Sequence, residues 1–358
     1  MHSRIIGVGA YLPGEIMPNE AFHQHVFLHP TGTPIPKEAP AIVSKFEAIT
    51  EIAERRYAQR HMLSSDMAAE AAKLALKDAG LDAEELGCII LAHNFGDIPA
   101  GSHITDQLPN LAARVKGKLG IKNPYCPAFD ILFGCPGWLQ GMIQADYCLR
   151  AGDAQYALVI GAETLSRIID PQDMDSMLFA DGAGAVVLQA TEGGGGLLSQ
   201  ATVSHCLEER SFLKMGKPYG MKESNGKLLM KMNGKQVFRY AYEHVPSLIL
   251  HCLEKAGKEI DEVDYFLIHQ ANGKMLKRIA ERTFAMAGKD HCPAEVFPMN
   301  IQRMGNNSVA TIPTLLAEMS QDPDLSPPVL GEGTLLVMAS VGAGMHANCV
   351  VYAHGEKA

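Results

Sequence analysis

The chain of 358 residues is long enough for two domains or for one large duplicated unit. Its 47% hydrophobic and 20% charged residues are an ordinary globular composition. The formal charge of −9 argues against a nucleic-acid surface and gives no reason to expect an anionic membrane as partner. Eight cysteines, at 88, 126, 135, 148, 206, 252, 292 and 349, are scattered without a Cys-x-x-Cys pair. That speaks against a zinc site and a disulfide framework, and suits a reducing compartment. The N-terminal stretch lacks the apolar core of a signal peptide, and no apolar run is long enough to span a bilayer. The expectation is a soluble, cytoplasmic protein.

In chain order, Arg4 to Tyr11 reads as a first strand, stopped by Leu12-Pro13-Gly14. Residues 28–42 carry Pro30, Pro34, Pro36 and Pro40 with Gly32 and read as a long loop, a candidate lid. A helix opens at Ser65-Asp66-Met67-Ala68, with Ser64 or Ser65 as its cap. Its small face is Ala68, Ala71, Ala72, Ala75, Leu76 and Ala79, and Gly80 ends it. Cys88 to Ala92 is a buried strand running into His93-Asn94, and Leu111 to Leu119 is a further helix.

The stretch from Ala128 to Met142 reads as strand, sharp turn, helix. Phe129 to Phe133 are almost wholly apolar, which predicts a strand buried on both faces. Gly134 and Gly137 bracket the turn, and Pro136 suits a first helical position. Leu139, Met142, Ile143 and Tyr147 follow at helical spacing. Cys135 thus stands at a helix N-terminus, where unpaired N–H groups and the helix dipole favour a thiolate. The competing explanation is a small buried hydrophobe.

Tyr156 to Ala162 is another buried strand, and Asp181 to Leu188 is a glycine-rich turn feeding one more; Gly193 to Gly196 closes this half. The second half follows the same order. Leu197 to Val203 is a strand, and Val237 to Ala256 a helix. Val263 to Ile268 is a strand running into His269-Gln270-Ala271-Asn272, and Thr334 to Ser340 a buried strand before Val341-Gly342-Ala343-Gly344. Strands of His93-Asn94 and His269 type mirror each other, which suggests two duplicated α/β halves, 1–192 and 193–358, with parallel or mixed sheets covered on both faces. Neither half carries a Gly-x-Gly-x-x-Gly turn after its first strand or a phosphate-binding lysine loop, so a nucleotide fold has little support.

Three polar groups stand at strand ends or in glycine turns: Cys135, His269, and Asn306 in Gly305-Asn306-Asn307-Ser308. Singly, a thiol packs, a histidine bonds and an asparagine caps. Together they fit a nucleophilic thiol with imidazole and amide donors, and the Gly342-Ala343-Gly344 turn offers N–H groups for an oxyanion.

These residues carry a resemblance. Ile5-Ile6-Gly7-Val8-Gly9-Ala10-Tyr11-Leu12-Pro13, Glu54-Arg55-Arg56, Pro127-Ala128-Phe129-Asp130 before Cys135, Phe179 to Ala185, Met232 to Phe238, His269-Gln270-Ala271-Asn272 and Gly305-Asn306-Asn307-Ser308 run nearly end to end. The sequence resembles the β-ketoacyl-acyl-carrier-protein synthase III family of thiolase-fold condensing enzymes. The resemblance implies an α/β thiolase fold with layers α-β-α-β-α. It implies an acyltransferase that performs a decarboxylating Claisen condensation of an acyl thioester with malonyl-acyl-carrier protein. Cys135 would carry the acyl group; His269 Nε2 and Asn306 Nδ2 would hold the enolate oxygen. The backbone N–H groups of Cys135 and Ala343 would hold the tetrahedral oxyanion. Relatives commonly have Gly at the latter position.

By resemblance, Leu108, Leu165 and Phe179 line the acyl pocket, with Leu108 reaching in from a partner subunit where a Phe is common; plain core packing is the other reading. Gly234 and Asn272 match positions near the pantetheine arm. Arg239, Lys274, Lys277 and Arg278 would face an acidic carrier protein or be solvated surface. The implied assembly is a homodimer. No tightly bound cofactor and no metal are implied, and thioesters of coenzyme A or of the carrier protein are substrates. The family stacks adenine between a Trp and an Arg, whereas Ser44 and Met174 stand there in this chain, which points to weak recognition of the nucleotide end. Two other readings keep the fold: acyl transfer to an oxygen or nitrogen acceptor or condensation without decarboxylation, and a non-catalytic binding partner, against which the intact Cys, His and Asn set argues.

Overall fold

The computed structural model describes residues 1–221 and 226–355. In the first half, β1 (His2–Tyr11) is followed by a ribbon of β2 (Glu15–Pro18) and β3 (Glu54–Tyr57) that flanks α1 (Ala39–Thr50). Then come α2 (Ser64–Ala79), β4 (Cys88–Ala92), α3 (Leu111–Leu119), β5 (Ala128–Ile131), α4 (Gly137–Ala151), β6 (Tyr156–Thr164) and β7 (Asp181–Thr191). In the second, β8 (Gly196–Ser204) precedes a ribbon of β9 (Leu213–Gly216) and β10 (Leu229–Met232). After it come α5 (Gly234–Ala256), β11 (Tyr265–Ile268), α6 (Gly273–Met286), α7 (Ile301–Met304), α8 (Thr311–Ser320), β12 (Thr334–Gly342) and β13 (His346–His354).

The two main sheets have matching order. One runs β1-β7-β6-β4-β5, the other β8-β13-β12-β11. From β1 the pairings are antiparallel, antiparallel, then parallel. From β8 they are again antiparallel, antiparallel, then parallel. α4 and α8 pack between the sheets, α2 and α3 on the outer face of the first, and α5 and α6 on the outer side of the second. The molecule is therefore α-β-α-β-α, two α/β halves back to back. The strand runs are apolar throughout because helices cover both faces of most strands.

The central core joins both halves: Ile90, Val159, Val186, Trp138 and Met142 meet Leu316, Leu336, Met338 and Val350. The alanine face of α2 is buried on the outside of the first sheet from Ala68 to Leu76, with Ala79 half-buried at its end. A Cβ on Gly9 would lie 2.4 Å from the Ala71 carbonyl, so only glycine lets helix and strand approach this closely.

Three local expectations change. The strand before Cys135 is short, ends at Ile131 and lies at the edge of its sheet, leaving Phe129 40% and Leu132 59% exposed; it is not covered on both faces. α2 begins at Ser64, and its cap position is Leu63, whose N–H is taken by Asp66 Oδ2 at 2.8 Å. Ser64 and Ser65 turn inward instead, to Thr164 and Asp97. Finally, α1 begins inside the proline-rich stretch, with Pro40 in its first turn, where a missing N–H costs nothing.

Candidate active site

Cys135 stands just ahead of α4, with Pro136 at the cap position. Gly342, at the end of β12, runs beside it: a Cβ there would lie 2.5 Å from the Cys135 nitrogen. The turn that holds Ala343 is thereby pressed against the nucleophile turn, as the apolar, ladder-bonded β12 demands. His269 follows β11, where its N–H donates to the Ala339 carbonyl at 2.9 Å. Asn306 is pinned by a two-way backbone bridge: its N–H donates to Leu178 and its carbonyl accepts from Ala180.

Ser308 draws these three together. Its hydroxyl donates to Cys135 Sγ at 3.2 Å, and its N–H donates to Asn306 Oδ1 at 2.9 Å. Thr311 Oγ1 lies 3.1 Å from its carbonyl and 2.7 Å from His269 Nδ1; the hydroxyl has one proton, and donating it over the shorter contact to Nδ1 leaves the imidazole proton on Nε2. His269 Nε2 has no hydrogen-bond partner among the described residues. Behind Ser308, Asn94 Nδ2 donates to Ser308 Oγ at 3.0 Å and also to Glu163 Oε1.

His269, Asn306 and Glu163 are buried, and Cys135 is half-buried. Burial pushes the Cys135 thiol up to about 12; the Ser308 hydroxyl lowers it, and Glu163 raises it. Burial alone lowers His269 to about 3, so the imidazole is neutral at any working pH. Burial likewise raises Glu163 to about 8, against the amide of Asn94. The direction is opposite to the one the helix N-terminus alone gives: desolvation of a charge outweighs the dipole's pull on the thiol. A neutral thiol beside a neutral imidazole forms no ion pair, which leaves the imidazole available as a hydrogen-bond partner for an oxygen that gains charge.

The other expected positions are more dispersed. Leu165 and Phe179 are buried together with Ile52, Ile98, Ile168 and Met230. Leu108 is 89% exposed, beside the edge strand β5. Asn272 caps α6, its Oδ1 accepting from Met275 N at 2.8 Å, and Gly234 opens α5. Three of the basic residues are paired, Arg239 with Glu243, Lys277 with Glu51 and Arg278 with Glu281, while Lys274 is exposed. An open groove of about 370 Å³ between α5 and α6 is lined by Arg278, Arg282 and Tyr242, and lies apart from the cysteine network.

The stretch around Met174 has its own architecture. Lys231 is buried between Asp170, 2.5 Å away, and Asp173, 3.2 Å away, with the Tyr219 ring 3.3 Å from its ammonium. The Leu28 N–H donates to the Gln172 carbonyl at 2.8 Å, so the proline-rich segment packs onto this cluster. Ser44 and Met174 are both exposed. Trp138 is buried in the central core, its Nε1–H donating to Val159.

Ser308, Asn94, Glu163 and Thr311 had no role in the sequence reading. The signal for Asn94 was present, a polar residue ending an apolar strand. So was that for Glu163, a lone carboxylate closing the buried run of β6. Nothing in the sequence says that these two strand ends meet.

Two duplicated halves, with a cysteine at the central helix and His and Asn contributed from the second half, define the thiolase-fold condensing class. The models of 3-oxoacyl-[acyl-carrier-protein (ACP)] synthase III and of its C-terminal region match residues 129–205 and 253–354. The β-ketoacyl-[acyl-carrier-protein] synthase III of Clostridium perfringens is 33% identical over 349 residues, 96% of this chain and 97% of that protein. That of Ehrlichia ruminantium is 33% identical over 350 residues, 96% of each. The crystal structure of the Thermus thermophilus synthase superposes with a TM-score of 0.80 at 30% identity, covering 99% of both chains. The chain belongs to the β-ketoacyl-[acyl-carrier-protein] synthase III family. Among the described residues, no helix is long and apolar enough to cross a membrane, and no group of His, Cys, Asp or Glu could hold a metal ion.

Proposed function

We propose that this chain condenses an acyl thioester with malonyl-acyl-carrier protein, releasing carbon dioxide and giving a 3-oxoacyl thioester. The observation that carries the residue assignment is the convergence of Cys135, His269 and Asn306 on Ser308. Cys135 takes the acyl group from the donor; a thiol exchanging with a thioester is nearly balanced in energy, so the acyl group is held without a deep trap. The malonyl thioester then loses carbon dioxide, and His269 Nε2 and Asn306 Nδ2 stabilise the enolate oxygen. The enolate carbon attacks the acyl-Cys135 carbonyl, whose oxygen is held by the N–H groups of Cys135 and Ala343. A dry site strengthens each of these interactions and protects the enolate from water.

Residues 1–192 and 193–358 serve as the two halves, the first supplying the nucleophile and the second its donors. Leu165 and Phe179 line the acyl channel, and Leu108 completes it from the partner of a homodimer. The exposed Leu108, Phe129 and Leu132 beside the unpaired edge of β5 support that assembly. Arg239 and Lys274 meet the acidic carrier protein, and Gly234 and Asn272 flank the pantetheine arm. The Lys231 cluster and the absent Trp and Arg favour a carrier-bound donor over coenzyme A. The site lies in the cytoplasm.

The test is carbon dioxide release and product mass from malonyl-carrier protein with acyl-carrier and acyl-coenzyme A donors. Release coupled to a 3-oxoacyl product supports the reading. Acyl transfer without carbon dioxide would move the chain to the oxygen- or nitrogen-acceptor class. No turnover with any donor would leave a binding protein.

A further inference from the structure

Ser308 is held in an unusual way. Its φ of 54° places a non-glycine residue in the left-handed region, a conformation that persists where the surroundings over-determine it. Asn306 Oδ1 accepts from its N–H, and Thr311 Oγ1 lies 3.1 Å from its carbonyl. The side chain has one accepting and one donating contact. Asn94 Nδ2 spends one N–H on Glu163 and the other on Ser308 Oγ. Whether Glu163 is ionised or neutral, it retains an oxygen that accepts, so the amide nitrogen stays turned toward it. Asn94 occupies one lone pair of the Ser308 hydroxyl, and the hydroxyl donates its proton to Cys135 Sγ. Donation therefore runs one way, from Asn94 to Ser308 to sulfur, anchored at Glu163.

The groups facing the sulfur make this bond matter. Glu163 of β6 acts against a thiolate, with Asp181 of β7 behind it. His269, at the end of β11, is neutral, and among the described residues no lysine or arginine acts on the sulfur. Besides the cysteine's own N–H, the Ser308 hydroxyl is what eases charge there.

We propose that Ser308 is a catalytic residue whose hydroxyl stabilises negative charge on the Cys135 sulfur, and that Asn94 and Glu163 are positioning residues that leave this hydroxyl no other direction. The proposal rests on Cys135 being the acylated nucleophile. In the step served, the Cys135 S–H bond breaks and the sulfur bonds to the thioester carbonyl carbon. The donor's C–S bond breaks with its electron pair going to the departing sulfur, which takes up one proton. One thiol is consumed and one released, and Ser308 keeps its own proton throughout. A hydrogen bond to an ionised sulfur is stronger than one to the neutral thiol, so Ser308 stabilises the charged form preferentially.

The test is the pH dependence of Cys135 alkylation by iodoacetamide, read by intact mass, with Cys135→Ala to subtract the other cysteines. Ser308→Ala and Ser308→Gly are compared with the wild type; glycine suits the backbone angle, so the second variant separates loss of the hydroxyl from backbone strain. Both are expected to move the alkylation profile up by about one pH unit or more, slowing labelling roughly tenfold at neutral pH. Asn94→Ala is expected to move it the same way by less. Wild-type alkylation profiles in both Ser308 variants would overturn the proposal. A wild-type Cys135 that is never alkylated would overturn the nucleophile reading itself, a different and distinguishable failure.

Discussion

Two strand ends occupy equivalent places in the two halves and do opposite things. β4 runs into His93, and β11 runs into His269; each strand is paired in parallel with the matching neighbour of its own sheet. His93 has both nitrogens engaged: Nδ1 accepts from Gly96 N at 2.9 Å, and Nε2 donates to Asp130 Oδ2 at 2.8 Å. Asp130 in turn accepts from the N–H groups of Leu111 and Ala112, anchoring the start of α3. His269 is engaged at Nδ1 only. One imidazole is consumed by the scaffold; the other keeps a nitrogen for chemistry. Duplication supplies the same residue twice, and the number of occupied ring nitrogens decides which copy is structural.

The largest expected effect breaks this symmetry directly. His269→Ala should lower condensation roughly a hundredfold or more, the usual cost of one lost oxyanion donor, with the melting temperature little changed. His93→Ala should do the reverse: it leaves buried partners unpaired and costs about 1–3 kcal/mol of stability, while activity per folded molecule stays within a few-fold. Calorimetry paired with initial rates checks both.

Next in size is Gly342→Ala. Its Cβ would press on the Cys135 backbone at 2.5 Å, so the two turns must part. Acylation of Cys135 is expected to slow by up to about a hundredfold, roughly what a displacement on the order of 1 Å costs. Rapid-quench mass measurement of the acyl-enzyme reads it.

Acid stability sharpens the comparison further. His269 titrates near 6.5 unfolded and at about 3 folded. Its neutral form is favoured by folding, so its contribution is complete above about 6.5 and is lost as pH falls toward 3. Glu163, raised to about 8, acts in the opposite sense between its ordinary range and 8 and is common to wild type and variant. His269→Gln should therefore lose stability less steeply than the wild type between pH 6.5 and 4, as denaturant melts across that window measure. The smallest effect is at the surface: Arg239→Glu should raise the KM for the carrier protein a few-fold in low salt and leave the melting temperature unchanged, because its pair with Glu243 is exposed.

The apolar runs of β4, β6, β7 and β12 made the architecture legible, because strands covered on both faces leave unbroken hydrophobic sequence. β5 escaped that logic: its run from Phe129 to Phe133 is apolar but for Asp130, yet it is an edge, and an apolar run does not distinguish burial under a helix layer from exposure at an edge. Cys135, His269 and Asn306 could be read because each ends a strand or lies in a glycine turn. Ser308 could not be assigned, because its part depends on a left-handed backbone angle and on Asn94 and Glu163 arriving from strands far apart in the chain. The protonation state of Cys135 was also beyond the sequence, since it turns on how deeply the thiol is buried.

Whether Cys135 carries the acyl group is read by intact mass. The protein and its Cys135→Ala variant are mixed with acyl-carrier and acyl-coenzyme A thioesters of several lengths. A gain equal to one acyl group is expected in the wild type, absent in the variant, and stronger with carrier thioesters. No gain with any thioester, or an equal gain in Cys135→Ala, would contradict it.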